Sequence, residues 1–97
     1  MKNVRHADEA LEAVERGEGQ IVSEAITKAF LRRMKTIRAA NDERDFYALR
    51  SLHYEKLKGK RDHQHSMRLN EKYRLILEYE GTGTDKTIVV VGIEDYH

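Results

Sequence analysis

Apolar residues recur with two different periods along the chain. Through residue 40 the spacing is helical. Ala7, Ala10, Leu11 and Val14 form one run; Val22, Ile26, Ala29, Phe30, Ile37 and Ala40 form a second. Intervals of three and four put each run on one face of an α-helix. Asp8, Glu9 and Glu12 stand early in the first helix, where its dipole favours acids, and Gly17 and Gly19 end it. Ser23 is the expected N-cap of the second helix, which runs to about Ala40 and keeps Lys28, Arg32, Lys35 and Arg38 largely off its apolar face. "KNVRH" before the first helix reads as a short edge strand, and "NDERDFYAL" after the second as a short helical turn.

In the second half the period changes to two. "HQHSMRLN" puts His65, Met67 and Leu69 on one side and Ser66, Arg68 and Asn70 on the other. "YRLILEY" groups Tyr73, Leu75, Leu77 and Tyr79 against Arg74, Ile76 and Glu78. "GTGTD" is the next turn, and "KTIVVVGIEDYH" the last strand. Its "IVVV" is apolar at every position, as in a strand central to a sheet or covered on both faces. That strand closes on Asp95, Tyr96 and His97, three hydrogen-bonding side chains that an apolar strand would hold in place.

The loop between the first two of these strands follows from the pattern. A two-residue loop would pair Met67 with Arg74 and mix an apolar with a charged residue on one face. A three-residue loop, Asn70 to Lys72, pairs Leu69 with Tyr73, Arg68 with Arg74 and Met67 with Leu75, and keeps both faces consistent. It also sets two arginines directly opposite each other, which destabilises a sheet unless an anion lies over them. The expected fold class is therefore α+β: an N-terminal strand and two helices packed on an antiparallel meander of three or four strands, in a single domain over residues 1–97.

Composition sharpens this picture. The chain has 97 residues, 39% hydrophobic and 36% charged, with no cysteine, so disulfide and thiolate chemistry are excluded. It shows neither a membrane-length apolar run nor a basic-then-apolar leader, and the expected location is cytoplasmic. The net charge of +1 hides an asymmetry. Residues 1–49 balance at nine basic and nine acidic; residues 50–74 hold eight basic against three acidic; residues 75–97 hold one basic against five acidic. The middle segment also carries His53, His63 and His65, which makes it a candidate anion-binding surface. His63 and His65 suggest a metal only weakly, because no third ligand stands at a recognisable spacing, and none is expected.

"LKGKRDHQHSMRLNEKYRLILEYE" with a terminal "EDYH" resembles the HigB-type toxins of the RelE/ParE superfamily. The motif residues are Leu57 and Gly59, then Ser66, Arg68, Asn70 and Arg74, then Asp95, Tyr96 and His97. The likeness covers residues 49–97 well; the first half agrees only in its strand-helix-helix pattern. It implies a toxin that enters the ribosomal decoding site and cuts messenger RNA without a metal. In that reaction the RNA 2′-hydroxyl attacks the adjacent phosphate, and a HigA-type helix-turn-helix antitoxin restrains the toxin. Members often carry a histidine two residues before the Leu-Lys-Gly, where this chain has Glu55. That leaves His53, Glu55 or His97 to supply the missing group.

Such cleavage needs a base for the 2′-hydroxyl, positive charge on the phosphorane and a proton for the leaving 5′-oxygen. Arg74 and Lys58 are the candidates for charge, and Arg suits a phosphate held by a planar fork. His97 is the candidate acid or base, with Asp95 favouring its imidazolium. Tyr96 either stacks on a base or packs as a core tyrosine, and Asp95 orients Tyr96 or His97. Arg68, Lys56, Lys60, Arg61, His53 and Lys72 are the expected RNA-binding residues. Two other readings fit the same fold: a ParE-like toxin that poisons DNA gyrase, and a basic RNA-binding module without activity.

Overall fold

The computed structural model describes residues 1 and 3–95, with the side chain of residue 84 left out. Tyr96 and His97, both expected at the site, lie outside the described residues. In chain order the elements are β1 (Val4–His6), α1 (Glu9–Glu15), α2 (Glu24–Ala39), α3 (Arg44–Ala48), β2 (Glu55–Lys56), β3 (Gln64–Arg68), β4 (Tyr73–Glu80) and β5 (Thr87–Asp95). The fold is α+β.

Local chemistry sets both long-range helices. Asp8 Oδ1 accepts from the Ala10 and Leu11 amides at 2.8 and 3.4 Å, which starts α1, and Ser23 Oγ accepts from the Ile26 amide at 3.2 Å, which starts α2. The Ser23 cap falls where the sequence puts it; Asp8, read there only as an acid near the helix start, proves to be the cap of α1. The buried stripe of α2 is Ile26, Ala29, Phe30, Met34 and Ile37.

These helices cover one face of a five-stranded sheet of order β1-β5-β4-β3-β2. β5 is interior, as "IVVV" implies, with Ile88 and Val90 fully buried. Two features differ from the sequence expectation. β1 joins the meander parallel to β5, pairing Val4 with Ile88 and His6 with Val90. A two-residue strand, β2, adds to the far edge, pairing Glu55 with Ser66 and Lys56 with His65. It is too short for alternation to reveal it.

The β3–β4 register is the expected one: Met67 opposite Leu75 and Arg68 opposite Arg74. Asn70 fixes it. Its Oδ1 accepts from the Lys72 and Tyr73 amides at 2.8 and 2.7 Å, closing the loop. Met67, Leu75, Leu77 and Ile88 then face the helices and belong to the same core as Phe30, Ile37 and Phe46. On the β4–β5 side Ile76 pairs with Gly92 but Leu77 with Val90, so Val91 is an extra residue, a β-bulge.

A partly buried polar clamp ties the N-terminal elements. His6 Nε2 lies 2.7 Å from Glu15 Oε1, and the Arg38 guanidinium forks onto both Glu15 oxygens at 2.6 and 2.7 Å, joining β1, α1 and α2. The hydrogen bonds from Arg38, then from His6, hold the Glu15 carboxyl near 2, below its ordinary 4.5, against the opposing cost of burial. A carboxyl depressed in the folded state stabilises it fully above about 4.5, and that contribution is lost as pH falls towards 2. Glu15→Gln should therefore flatten the acid limb of stability between those two pH values, read as urea midpoints against pH. An unchanged limb would show that the clamp does not couple folding to protonation.

Candidate functional site

Cross-strand partners share a face, so the register defines the surface away from the helices. Glu55 of β2, Ser66 and Arg68 of β3, Arg74 and Ile76 of β4 and Glu94 of β5 lie on it together. Arg74 is at its centre and is only 8% exposed. A buried guanidinium requires acceptors. Arg74 Nε donates to Ser66 Oγ at 2.8 Å, Nη2 donates to the His53 carbonyl at 2.5 Å, and Glu55 Oε1 lies 3.5 Å from Nη2. Arg74 is thus met by the protein's own oxygens.

His53 links both of them. It caps the short 3₁₀ turn at Arg50–Leu52 in the left-handed conformation, φ 45° and ψ 46°, which turns its carbonyl to Arg74. Its ring Nε2 lies 3.4 Å from Arg68 Nη1. A guanidinium only donates, so Nε2 accepts, and its basic lone pair is engaged. Arg68 Nε also donates to the Asn70 carbonyl at 3.2 Å.

Two hollows flank Arg74. The first, of about 370 Å³, is lined by His53, Glu55, Arg68, Asn70, Glu71 and Arg74. The second, of about 220 Å³, is lined by Leu57, Arg61, Ser66, Arg74, Ile76, Glu94 and Asp95. Of the expected site residues the fold gathers Arg74, Arg68, His53, Arg61 and Asp95 around these hollows. Lys58 and Lys60 are exposed in and beside the 3₁₀ turn at Gly59–Arg61 and line neither. Lys56 pairs with His65, so its side chain leaves the opposite face. Lys72 approaches Asp95 at 3.8 Å and lies over the Tyr73 ring. Asp95 pairs with Tyr73, which puts Glu94 on the Arg74 face in its place.

The histidines of the weak metal reading are used elsewhere. His63 lies 3.8 Å from Glu78. His65 stacks on Tyr54 at 5.1 Å within a buried aromatic group, and burial pushes its pKa down. Among the described residues no three His, Cys, Asp or Glu side chains are grouped to hold a metal ion.

Sequence reasoning did not assign Ser66, Glu71 or Glu94 a place at the site. Ser66 was within reach of it: once Arg68 faces Arg74, Ser66 is the diagonal neighbour of Arg74, close enough for a long side chain.

The fold is similar to that of the solved YoeB/ParE toxin from Agrobacterium tumefaciens, with a TM-score of 0.64 over 98% of this chain and 99% of that one. At 12% identity the likeness is one of fold. No curated protein sequence matches the chain. Residues 6–97 match the family described as RelE-like toxin of type II toxin-antitoxin system HigB, and the chain belongs to that family. Membership makes it a type II toxin and implies an antitoxin partner. Among the described residues no helix is long and apolar enough to cross a membrane.

The left-handed backbone of His53 is open to test apart from its ring. His53→Ala and His53→Gly both lose the contact with Arg68, but only glycine accepts φ 45° without strain. The alanine variant should be less stable by about 0.5–1 kcal/mol, the left-handed cost of about 1–2 less a chain-entropy gain of about 0.4–1. Denaturant melts of the pair measure it. Equal stability would mean that the His53 backbone is not held in this conformation.

Proposed function

We propose that the chain is a ribosome-dependent messenger-RNA endonuclease that acts without a metal. The observation that carries this reading is the buried Arg74 guanidinium, anchored on neutral oxygens beside the Glu55 carboxylate at the edge of an open hollow. Anchoring of this kind aims a fixed positive charge at a place where negative charge develops. The scissile phosphate lies over Arg74 and Arg68. Glu55 takes the proton of the 2′-hydroxyl, whose oxygen bonds to phosphorus. The bond from phosphorus to the 5′-oxygen breaks, and His97 gives that oxygen a proton. The products are a 2′,3′-cyclic phosphate and a 5′-hydroxyl.

Glu55 is preferred to His53 as the base because Arg68 engages the His53 ring nitrogen. Glu55 is also where relatives often carry a histidine, so one proton acceptor replaces another. Tyr96 stacks on a neighbouring base, Asp95 orients the terminal side chains, and Lys58 adds charge at the rim. The restraining partner is a HigA-type antitoxin, and the site of action is the decoding centre in the cytoplasm.

Single-turnover cleavage of messenger RNA on programmed ribosomes tests these roles. Glu55→Gln and His97→Gln should each slow cutting by about 10²–10⁴, the range for losing a general acid or base. Arg74→Lys should cost about 10²–10³, since an ammonium cannot keep both the Ser66 and His53 contacts and face the phosphate. A chelator should leave the wild-type rate unchanged once the ribosomes' own magnesium is controlled. A wild-type rate for Glu55→Gln would move the base to His53, and replication arrest with intact messenger RNA would replace the nuclease by a gyrase poison.

A further inference from the structure

In the second hollow the Arg61 guanidinium is held by a carboxylate of the chain itself. Arg61 Nη1 and Nη2 donate to the two Glu94 oxygens at 2.9 and 2.6 Å, and Nε donates to Gln64 Oε1 at 2.8 Å. This is the forked geometry with which arginine also holds phosphate. Glu94 is cross-strand from Arg74, so its carboxylate lies between two guanidinium-bearing elements, the Gly59–Arg61 turn and β4. Leu57, Ile76 and the fully buried Ser66 complete the walls. Arg74 lines both hollows, so the two adjoin across its side chain.

We infer that this hollow is a second phosphodiester subsite for RNA and that Glu94 is its built-in competitor. It holds the Arg61 fork in the free protein and yields it to an RNA phosphate. The inference rests on the nuclease reading above and extends it: Glu94 lowers affinity for free RNA, so that stable engagement requires the additional contacts of the ribosome. Nearly half of each side chain is exposed, 45% for Arg61 and 47% for Glu94. A solvent-accessible ion pair of this kind is weak enough to exchange partners.

The test uses the full chain and a ten-nucleotide RNA with 2′-O-methyl sugars, which binds but cannot be cut, followed by anisotropy over a salt series. Glu94→Gln should tighten binding by about two- to fivefold, the strength of an exposed ion pair. Arg61→Gln should weaken binding and lower the slope of log affinity on log salt by about 0.7, one single-strand phosphate contact. In the Arg61→Gln background, Glu94→Gln should bring no gain. Glu94→Ser gives a second way of removing the carboxylate, and thermal melts confirm that each variant folds. Inorganic phosphate replaces the RNA in a parallel arm; equal occupancy by phosphate, with no preference for RNA, would reduce the site to one for simple anions and overturn the subsite.

The inference also fails if Glu94→Gln weakens binding as Arg61→Gln does, since the pair is then only a tether for the turn. It fails if the gain persists without Arg61, since a general charge effect then explains it, and if no variant binds RNA. The two readings separate cleanly. A chain that shows the opposite signs yet leaves ribosome-bound messenger RNA intact keeps the subsite and loses the nuclease. A chain that cuts while the signs agree keeps the nuclease and loses the subsite.

Discussion

Met67 against Leu75, both fully buried beneath the helices, is the contact that sets the rest of the site. A strand has a side-chain period of two, so the next position along each strand must appear on the other face, and those positions are Arg68 and Arg74. Two guanidinium groups are thereby brought into cross-strand contact. Sliding the strands by one residue would relieve the repulsion but would put arginine under α2 and methionine in the hollow, at far greater cost. The core decides the register, and the outer face has to accommodate it.

It does so with oxygens drawn from three separate segments. Ser66 comes from the adjacent strand, the His53 carbonyl from a turn held in left-handed backbone, and Glu55 from a two-residue edge strand. Two of these acceptors are neutral, and the third, the Glu55 carboxylate at 3.5 Å, belongs to an exposed side chain. This combination rigidly presents charge beside a proton acceptor in a place open to solvent. In the proposed nuclease, this preorganisation is what the developing charge on a phosphate requires.

The helices, the Ser23 cap, the β3–β4 register and the interior position of β5 were legible because each depends on neighbours in sequence. Ser23, Asp8 and Asn70 act on amides two or three residues away, and the Met67–Leu75 pairing follows from keeping apolar residues on one face. The parallel docking of β1 on β5 depends on contacts over more than eighty positions, and the bulge at Val91 lies in an apolar run that gives no sign of it. At the site, the motif contained Arg74 and its anchor Ser66 but not the second anchor, because a backbone carbonyl such as that of His53 has no sequence signature. The basic segment suggested an open cationic surface. In the fold the acidic segment after residue 75 runs alongside it as β4 and β5, so Arg61 finds Glu94 and Lys72 approaches Asp95. Lys56 leaves by the other face.

The central claim is that this surface cuts messenger RNA with the 2′-hydroxyl as nucleophile, and the chemistry of the cut ends tests it most directly. RNA from cells expressing the protein without its antitoxin can be mapped by primer extension, with the 5′ ends captured by a ligase that accepts only hydroxyl termini. The expected result is a set of cuts confined to translated frames, each with a 5′-hydroxyl on one fragment and a cyclic phosphate on the other, and absent when Arg74 is replaced by lysine. Uncut messenger RNA in growth-arrested cells, or fragments bearing 5′-phosphates, would contradict the account.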